Sequence, residues 1–443
     1  MIMQAPRRRI PPAPARRTAR IPALTLALCT AAAASCLSAG VANAADFYTP
    51  PAQFAAEPGS IVKTEPVPVL TVPPGANGQW PAAAQRVMYT SRTQNGDAVP
   101  VSGVFLDANH PWQGSGPRPT IVIAPGTVGQ GDQCAVSKAI SAGVYADPAQ
   151  LSLSANQEAV SALAWNSLGA RVFITDYIGM GTPGIHTYTN RVEEAHAVLD
   201  AARAANNLSG SGPATPVAFW GYSQGGGATA AAAELQPDYA PELDLKGTWA
   251  GAPPADLGAV IGGIDGNLIG AAIGFALNGF VDRYPDLRGV LDQRTSPSGR
   301  ALLGELSNEC IADVIVKHPF ARTTDFTADH RPLIDHMREI PEAEKILADQ
   351  RIGTLRPSAP VFVTSGINDD TIPYKQARQL ADDWCAAGAT VTFRSNPLPP
   401  IAPGTVFGNH FGPELIDGFG TNNAVSYLMD RLADKPVPGC TFD

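Results

Sequence analysis

The sequence is short of positive charge, of cysteine and of long apolar runs. Its 443 residues hold 31 lysines and arginines against 40 aspartates and glutamates, a formal net charge of −9. An acidic balance argues against nucleic acid as a partner. Beyond residue 44 the best candidate for a membrane span, residues 266–281, has 16 residues without a charge, and a helix needs ~20 to cross a bilayer. No phosphate loop or dinucleotide fingerprint occurs. No histidine cluster has metal-ligand spacing either; His330 and His336 are read as surface or packing residues. No cofactor, metal, transmembrane segment or protein partner is expected.

The positive charge that is present is unevenly placed. Arg7, Arg8, Arg9, Arg16, Arg17 and Arg20 precede the apolar run Leu24–Leu28 and a series of alanines, and Ala42-Asn43-Ala44 forms an A-x-A site. This pattern predicts a secretory signal over residues 1–44. Cleavage there removes six arginines and no acid, leaving 25 basic against 40 acidic side chains. The expected location is extracellular or periplasmic. The run Ala33-Ala34-Ser35-Cys36 offers an alternative, a lipoprotein anchored at Cys36. Cys29 and Cys36 lie in the signal, which leaves Cys134, Cys310, Cys385 and Cys440. Four cysteines in an exported chain read as two disulfides, with three pairings open.

Residues 45–75 are proline-rich and are expected to wrap the surface as an extended arm. Beyond them apolar strands alternate with helical stretches. Strands are predicted at Thr120–Ala124, Arg171–Thr175, Val217–Trp220, Gly247–Ala252, Val361–Thr364 and, as the last, Val391–Phe393. Arg191–Asn206 carries helical periodicity through Val192, Ala195, Val198, Leu199 and Ala202. This alternation predicts an α/β fold with a mostly parallel sheet. The 105 residues from Pro253 to Pro357 break the rhythm, for they contain no convincing strand. They are expected to form a helical cap over a site, so that the core runs over 45–252, resumes over 358–443, and is interrupted by the insertion 253–357.

The stretch Gly221-Tyr222-Ser223-Gln224-Gly225 stands between the strand and the alanine-rich run Ala228–Leu235. Glycines on both sides remove the Cβ atoms that would clash in a sharp strand-to-helix turn. G-x-S-x-G in that context is the nucleophile elbow. A serine hydroxyl needs a base, and the base an orienting carboxylate. Of the histidines after Ser223, His318, His330 and His336 fall in the insertion, and only His410 follows the last strands. The acid should leave a late strand, and Asp369 fits a G-x-x-D-x-x-[aliphatic]-P layout completed by Ile372 and Pro373. Asp370 is read as a solvated neighbour or a supporting group. Oxyanion donors are expected at the amide of Gln224 and in the loop after Thr120–Ala124, with Thr127 chosen and Gly126 and Val128 beside it. The apolar stretch Ala259–Phe280 is expected to hold an acyl chain.

With these residues in place, the chain resembles the secretory lipase family, which includes a lid-bearing fungal lipase A and actinobacterial relatives. The resemblance rests on "APGTVGQGDQCA", "DYIGMGTPG", "GYSQGG", "YAPELDLKGTWAGAPPADL", "NDDTIPY" and "WCAAGATVTF", and extends from "DFYTPP" to the C-terminal cysteine. It implies an α/β-hydrolase fold, helices on both faces of the sheet and an inserted helical lid. It implies a triad of Ser223, Asp369 and His410, donors at Gln224 and Thr127, and the pairings Cys134–Cys310 and Cys385–Cys440. The implied activity is cleavage of a carboxylic ester or lipid, at a lipid–water interface. The loop 396–409 before the histidine is longer than in the fungal member. Rival readings are an acyltransferase using the same triad with an alcohol acceptor, a peptidase on the same fold, and an inactive hydrolase-like binding scaffold.

Overall fold

The computed structural model describes residues 47–69 and 83–443. The signal expected at 1–44 and residues 70–75 of the arm lie outside them. The described residues from 48 onward form one compact unit, the insertion included.

Twelve strands are present among the described residues: β1 (Ile61–Val67), β2 (Ala83–Arg92), β3 (Ala98–Asp107), β4 (Thr120–Ala124), β5 (Val144–Asp147), β6 (Ser152–Ala155), β7 (Arg171–Ile178), β8 (Pro216–Tyr222), β9 (Asp244–Gly251), β10 (Val361–Gly366), β11 (Val391–Asn396) and β12 (Cys440–Phe442). Ten make a single sheet in the order β1-β2-β3-β7-β4-β8-β9-β10-β11-β12, and β5-β6 form a separate hairpin. The three pairings from β1 to β7 are antiparallel, and every pairing from β7 to β12 is parallel. Successive β4 residues serve opposite faces, as the pleat requires. Val122 and Ala124 pack with the helices Arg191–Ser209 and Gln224–Tyr239. Ile121 and Ile123 pack with Trp165 and with Leu428 of the helix Ala424–Leu432.

Two expectations need correction. Residues 61–67 of the supposed arm are an edge strand, paired from Ile61↔Tyr89 to Val67↔Ala84. Lys63, Glu65 and Pro66 obscure the alternation, and such residues suit an edge where one side lacks a partner. The last strand is β12 rather than β11. Three residues give it little pattern of its own, and a disulfide from Cys385 to Cys440 fastens it to the helix Tyr374–Ala386.

Residues 253–357 hold seven α-helices, from Leu257–Ile264 to Pro341–Asp349, and no strand. The second disulfide, Cys134–Cys310, joins the segment after β4 to this insertion, with Cα atoms 5.3 Å apart. The Ile311 amide donates to the Val128 carbonyl at 2.9 Å beside it. The bridge closes a loop of 176 residues. Cys134→Ala with Cys310→Ala is therefore expected to cost about 2–5 kcal/mol. A drop in the chemical-denaturation midpoint, reproduced in the wild type by reductant, checks this.

Candidate active site

β8 is buried along its whole length, and its apolar side chains feed both faces of the sheet. It ends at Ser223, which has φ 58° and ψ −125°. A positive φ at a non-glycine residue is strained by about 1–3 kcal/mol. Tight packing around the turn maintains it. A Cβ on Gly221 would lie 2.1 Å from the Gly225 carbonyl oxygen, and one on Gly226 would lie 2.0 Å from that of Gly251. The Ser223 amide donates to the Gly251 carbonyl at 2.9 Å, which anchors the elbow to β9.

Loops after two later strands meet this serine. Asp369 follows β10, and its Oδ1 accepts from the amides of Thr371 at 2.9 Å and Ile372 at 2.8 Å. His410 Nδ1 lies 2.9 Å from Asp369 Oδ2 and 3.1 Å from Oδ1. His410 Nε2 lies 2.8 Å from Ser223 Oγ. A carboxylate accepts only, so Nδ1 carries the proton and Nε2 is left as acceptor for the serine hydroxyl. The Tyr222 hydroxyl donates to the His410 carbonyl at 2.8 Å. Asp370 does not touch the histidine ring. Its Oδ2 accepts from the amides of Gly404 at 2.7 Å and Val406 at 3.3 Å, so it anchors the histidine loop rather than standing in solvent.

Gln224 and Thr127 flank Ser223 in one cavity. The Thr127 and Tyr188 hydroxyls share a hydrogen bond of 2.7 Å. The Gly126 amide donates to Glu158 Oε1 at 3.0 Å. The Gln224 side-chain nitrogen donates to Glu194 Oε1 at 2.8 Å and meets His186 Nε2 at 2.9 Å. Sequence reasoning did not find Glu158, Glu194, His186 or Tyr188. The only local signal was Glu193-Glu194 at a helix start, which is also an ordinary placement for acids.

Above the serine lies a cavity that also takes in Thr127, Gln224 and Tyr188. Its roof is apolar and comes largely from the insertion, with Val260, Ile261, Ile264, Ile273, Leu277 and Phe280. These side chains belong to the stretch 259–280. Among the described residues, Glu305, Glu309 and His318 bring potential metal-ligand atoms within 4.8 Å of one another. Lys317 Nζ already lies 3.1 Å from Glu309 Oε1. His330 is exposed, whereas His336 is buried with Nε2 2.9 Å from Asp329.

Several carboxylates are buried, among them Glu194 and Glu158, which hold Gln224 and Gly126. Burial pushes Glu194 up to about 8, and Asp200 and Asp417 to about 6. Burial likewise raises Glu158, and it raises Glu414 with the Glu158 charge adding to the effect. Unfolding would return all five to near 4. Between roughly pH 4 and 8 the native state therefore binds more protons than the unfolded chain, and its stability falls as pH rises. His186 opposes this at the acid end. Burial lowers it to about 4 from 6.5, so its own contribution to stability is lost as pH drops below about 6.5, a partial offset to the five carboxylates. The melting temperature is expected to be lower at pH 8.5 than at pH 6, and Glu194→Gln should flatten that slope in a calorimetric pH series.

The profile of a family described as Secretory lipase matches residues 148–439. A probable inactive lipase of Mycobacterium tuberculosis is 32% identical over 247 residues, 55% of this chain and 52% of that protein. The secreted triacylglycerol lipase LIP5 of Malassezia globosa is 29% identical over 296 residues, 64% of this chain and 58% of its own. The chain thus spans little more than half the length of these curated relatives. Among solved structures, Candida antarctica lipase A in its closed state superposes with a TM-score of 0.72 at 21% identity, covering 89% of this chain and 87% of that one. The esterase LipA of Xanthomonas oryzae gives 0.65 at 19% identity, covering 82% and 98%. The fold is that of the α/β-hydrolases. No helix among the described residues is long and apolar enough to cross a membrane.

Proposed function

The chain belongs to the secretory lipase family, and from that premise we propose that it is an exported hydrolase of carboxylic esters, acting through Ser223, His410 and Asp369. One observation carries the reading: His410 stands between the other two, 2.8 Å from Ser223 Oγ and 2.9 Å from Asp369 Oδ2. One relative bears the name of a probable inactive lipase; the unbroken chain of hydrogen bonds favours an active enzyme here.

Ser223 Oγ attacks the ester carbonyl carbon while His410 Nε2 takes its proton. The carbonyl oxygen becomes an oxyanion, held by the Gln224 amide and by the loop amide at Thr127. Asp369 keeps the imidazole in the required tautomer and stabilises its cation. Collapse of the tetrahedral intermediate breaks the bond to the alcohol, which leaves with the proton from His410. Water then attacks the acyl-enzyme, again giving its proton to His410, and the carboxylic acid departs as Ser223 regains its hydrogen. The insertion 253–357 acts as a cap, and its apolar roof receives the acyl chain. Cys134–Cys310 would hold that cap to the oxyanion loop in an oxidising compartment.

The test is hydrolysis by purified protein of soluble p-nitrophenyl butyrate and emulsified triolein. Cleavage of both supports a lipase, and cleavage of butyrate alone supports an esterase. Failure to cleave any ester across a panel of acyl lengths would sink the reading.

A further inference from the structure

We propose that a second chamber, inside the insertion, receives the far end of a hydroxylated acyl chain, and that His336 Nδ1 recognises the hydroxyl. The proposal deepens the ester-hydrolase reading and rests on it, for it names the acyl class that the same site would take.

The chamber lies among the helices Ile273–Arg283, Leu287–Arg294, Leu333–Glu339 and Pro341–Asp349. It adjoins the cavity at Ser223, because Leu277, Phe280 and Met337 line both. Apolar packing is continuous across that boundary. Leu333 of the chamber packs with Ile264, Ile269 and Ile273 of the cavity, and Ile346 packs with Phe280 and Leu287. Met337 is unbranched with three rotatable bonds, so it can turn aside where a branched side chain could not. An acyl group on Ser223 that outgrows the first cavity has the chamber as its continuation.

Apart from Arg294 and His336 the chamber lining is apolar. Arg294 is exposed, where water can serve it. His336 is not: it is 2% exposed, and nothing among the described residues hydrogen-bonds to its Nδ1. Its Nε2 is committed to Asp329 Oδ1 at 2.9 Å. A carboxylate accepts only, so Nε2 carries a proton. The other nitrogen, Nδ1, then accepts if the ring is neutral and donates if it is charged. A buried polar atom without a partner is costly, and in a native fold it marks a place where a partner is due.

The chemistry of Nδ1 selects that partner. Methylene groups cannot pair with it in either charge state. A carbonyl or ether oxygen accepts only, and so suits the charged ring alone. A hydroxyl both donates and accepts, and so pairs with Nδ1 in both states. Selectivity follows from the same asymmetry: an unsubstituted chain seals Nδ1 away unpaired, whereas a chain with a hydroxyl at that depth satisfies it.

The experiment compares ricinoleate with oleate, which differ by one hydroxyl, and ω-hydroxypalmitate with palmitate. Full-length protein is given each as free acid and as p-nitrophenyl ester. Binding of the acids is read by displacement of a fluorescent fatty acid, and turnover of the esters as kcat/KM. The wild type is expected to favour the hydroxylated member of at least one pair by about fivefold or more in both readings. His336→Phe keeps an apolar ring of similar size without Nδ1, and is expected to bring that ratio close to one. Val290→Trp fills the chamber from the helix Leu287–Arg294, which has no buried residue. It is expected to weaken binding of all four acids at least about fivefold and to erase the preference, and it reports on the chamber should His336→Phe fail to fold. Equal binding within both pairs by the wild type overturns the proposal. So does a preference that survives in folded His336→Phe or in Val290→Trp, which would place the partner of the hydroxyl elsewhere. Binding of the free acids is independent of turnover. A wild type that cleaves no ester, yet binds a hydroxylated acid more tightly and loses that preference in His336→Phe, supports the chamber while refuting the ester-hydrolase reading.

Discussion

Ser223→Ala is expected to lower kcat/KM for p-nitrophenyl butyrate by about 10⁴–10⁶-fold, with a melting temperature close to that of the wild type. The two halves of this prediction have separate causes. On the proposed mechanism activity falls because the only atom removed is the Oγ that would form the acyl-enzyme, the atom 2.8 Å from His410 Nε2. Stability holds because the backbone at φ 58° accommodates alanine as it does serine, and the amide bond to Gly251 does not involve the side chain. A fluorophosphonate probe supplies an independent reading: it should label the wild type and leave the variant unlabelled. Asp369→Asn should retain labelling but at a much lower rate, because an amide in place of the carboxylate can leave the imidazole in the wrong tautomer. If Ser223→Ala retains wild-type turnover, another nucleophile serves the ester and the elbow is only a structural turn.

What could be read beforehand follows the range of the forces involved. The elbow was legible because its requirements are local: an apolar strand, small residues at the turn and a strong helix former all occur within twenty residues of sequence. The order Ser223, Asp369, His410 was legible because strand ends deliver those loops to one edge of a parallel sheet. The antiparallel start of the sheet was missed although Asn95-Gly96 between two strand-like runs is a hairpin signal, and the structure pairs β2 with β3 across that turn. Only a partner tells β1 from an arm, since its own residues carry mixed polarity. The side-chain network behind the oxyanion loop was illegible for a stronger reason. Glu194 and Gln224 are 30 residues apart, and Glu158 supports Gly126 from 32 residues away; no local pattern announces that a glutamate will be buried. Asp369 and Asp370 show how little separates two roles. They are adjacent, yet one orients the imidazole while the other ties down the loop that carries it.

Gly225→Ala should be among the most damaging single methyl additions at the described glycines. Its Cβ would stand 2.0 Å from the Ala124 carbonyl oxygen, 2.9 Å from the Ala124 carbonyl carbon and 3.0 Å from the Pro125 carbonyl oxygen. These are backbone atoms at the end of β4, where the oxyanion loop begins, so no side chain can rotate aside to make room. Either the helix Gln224–Tyr239 slides away from the sheet or β4 yields. A loss of about 3 kcal/mol is expected from overpacking. If the helix moves, the Gln224 amide moves with it, and a misplaced oxyanion donor should lower kcat by a further ~10²–10³-fold. Gly262→Ala is the matching control, because nothing lies within 4 Å of a Cβ there and the residue is within the helix Leu257–Ile264. It should gain about 0.5–1 kcal/mol, since alanine forfeits less backbone freedom than glycine in a helix. Denaturant midpoints and kcat on p-nitrophenyl butyrate for the two variants separate the causes. If Gly225→Ala is as stable and active as the wild type, the contact between the elbow helix and β4 is looser than these distances require. Stability lost with kcat preserved would mean that β4 gives way while the serine and its donors move together, placing the rigidity of the site in the elbow rather than in the sheet beneath it.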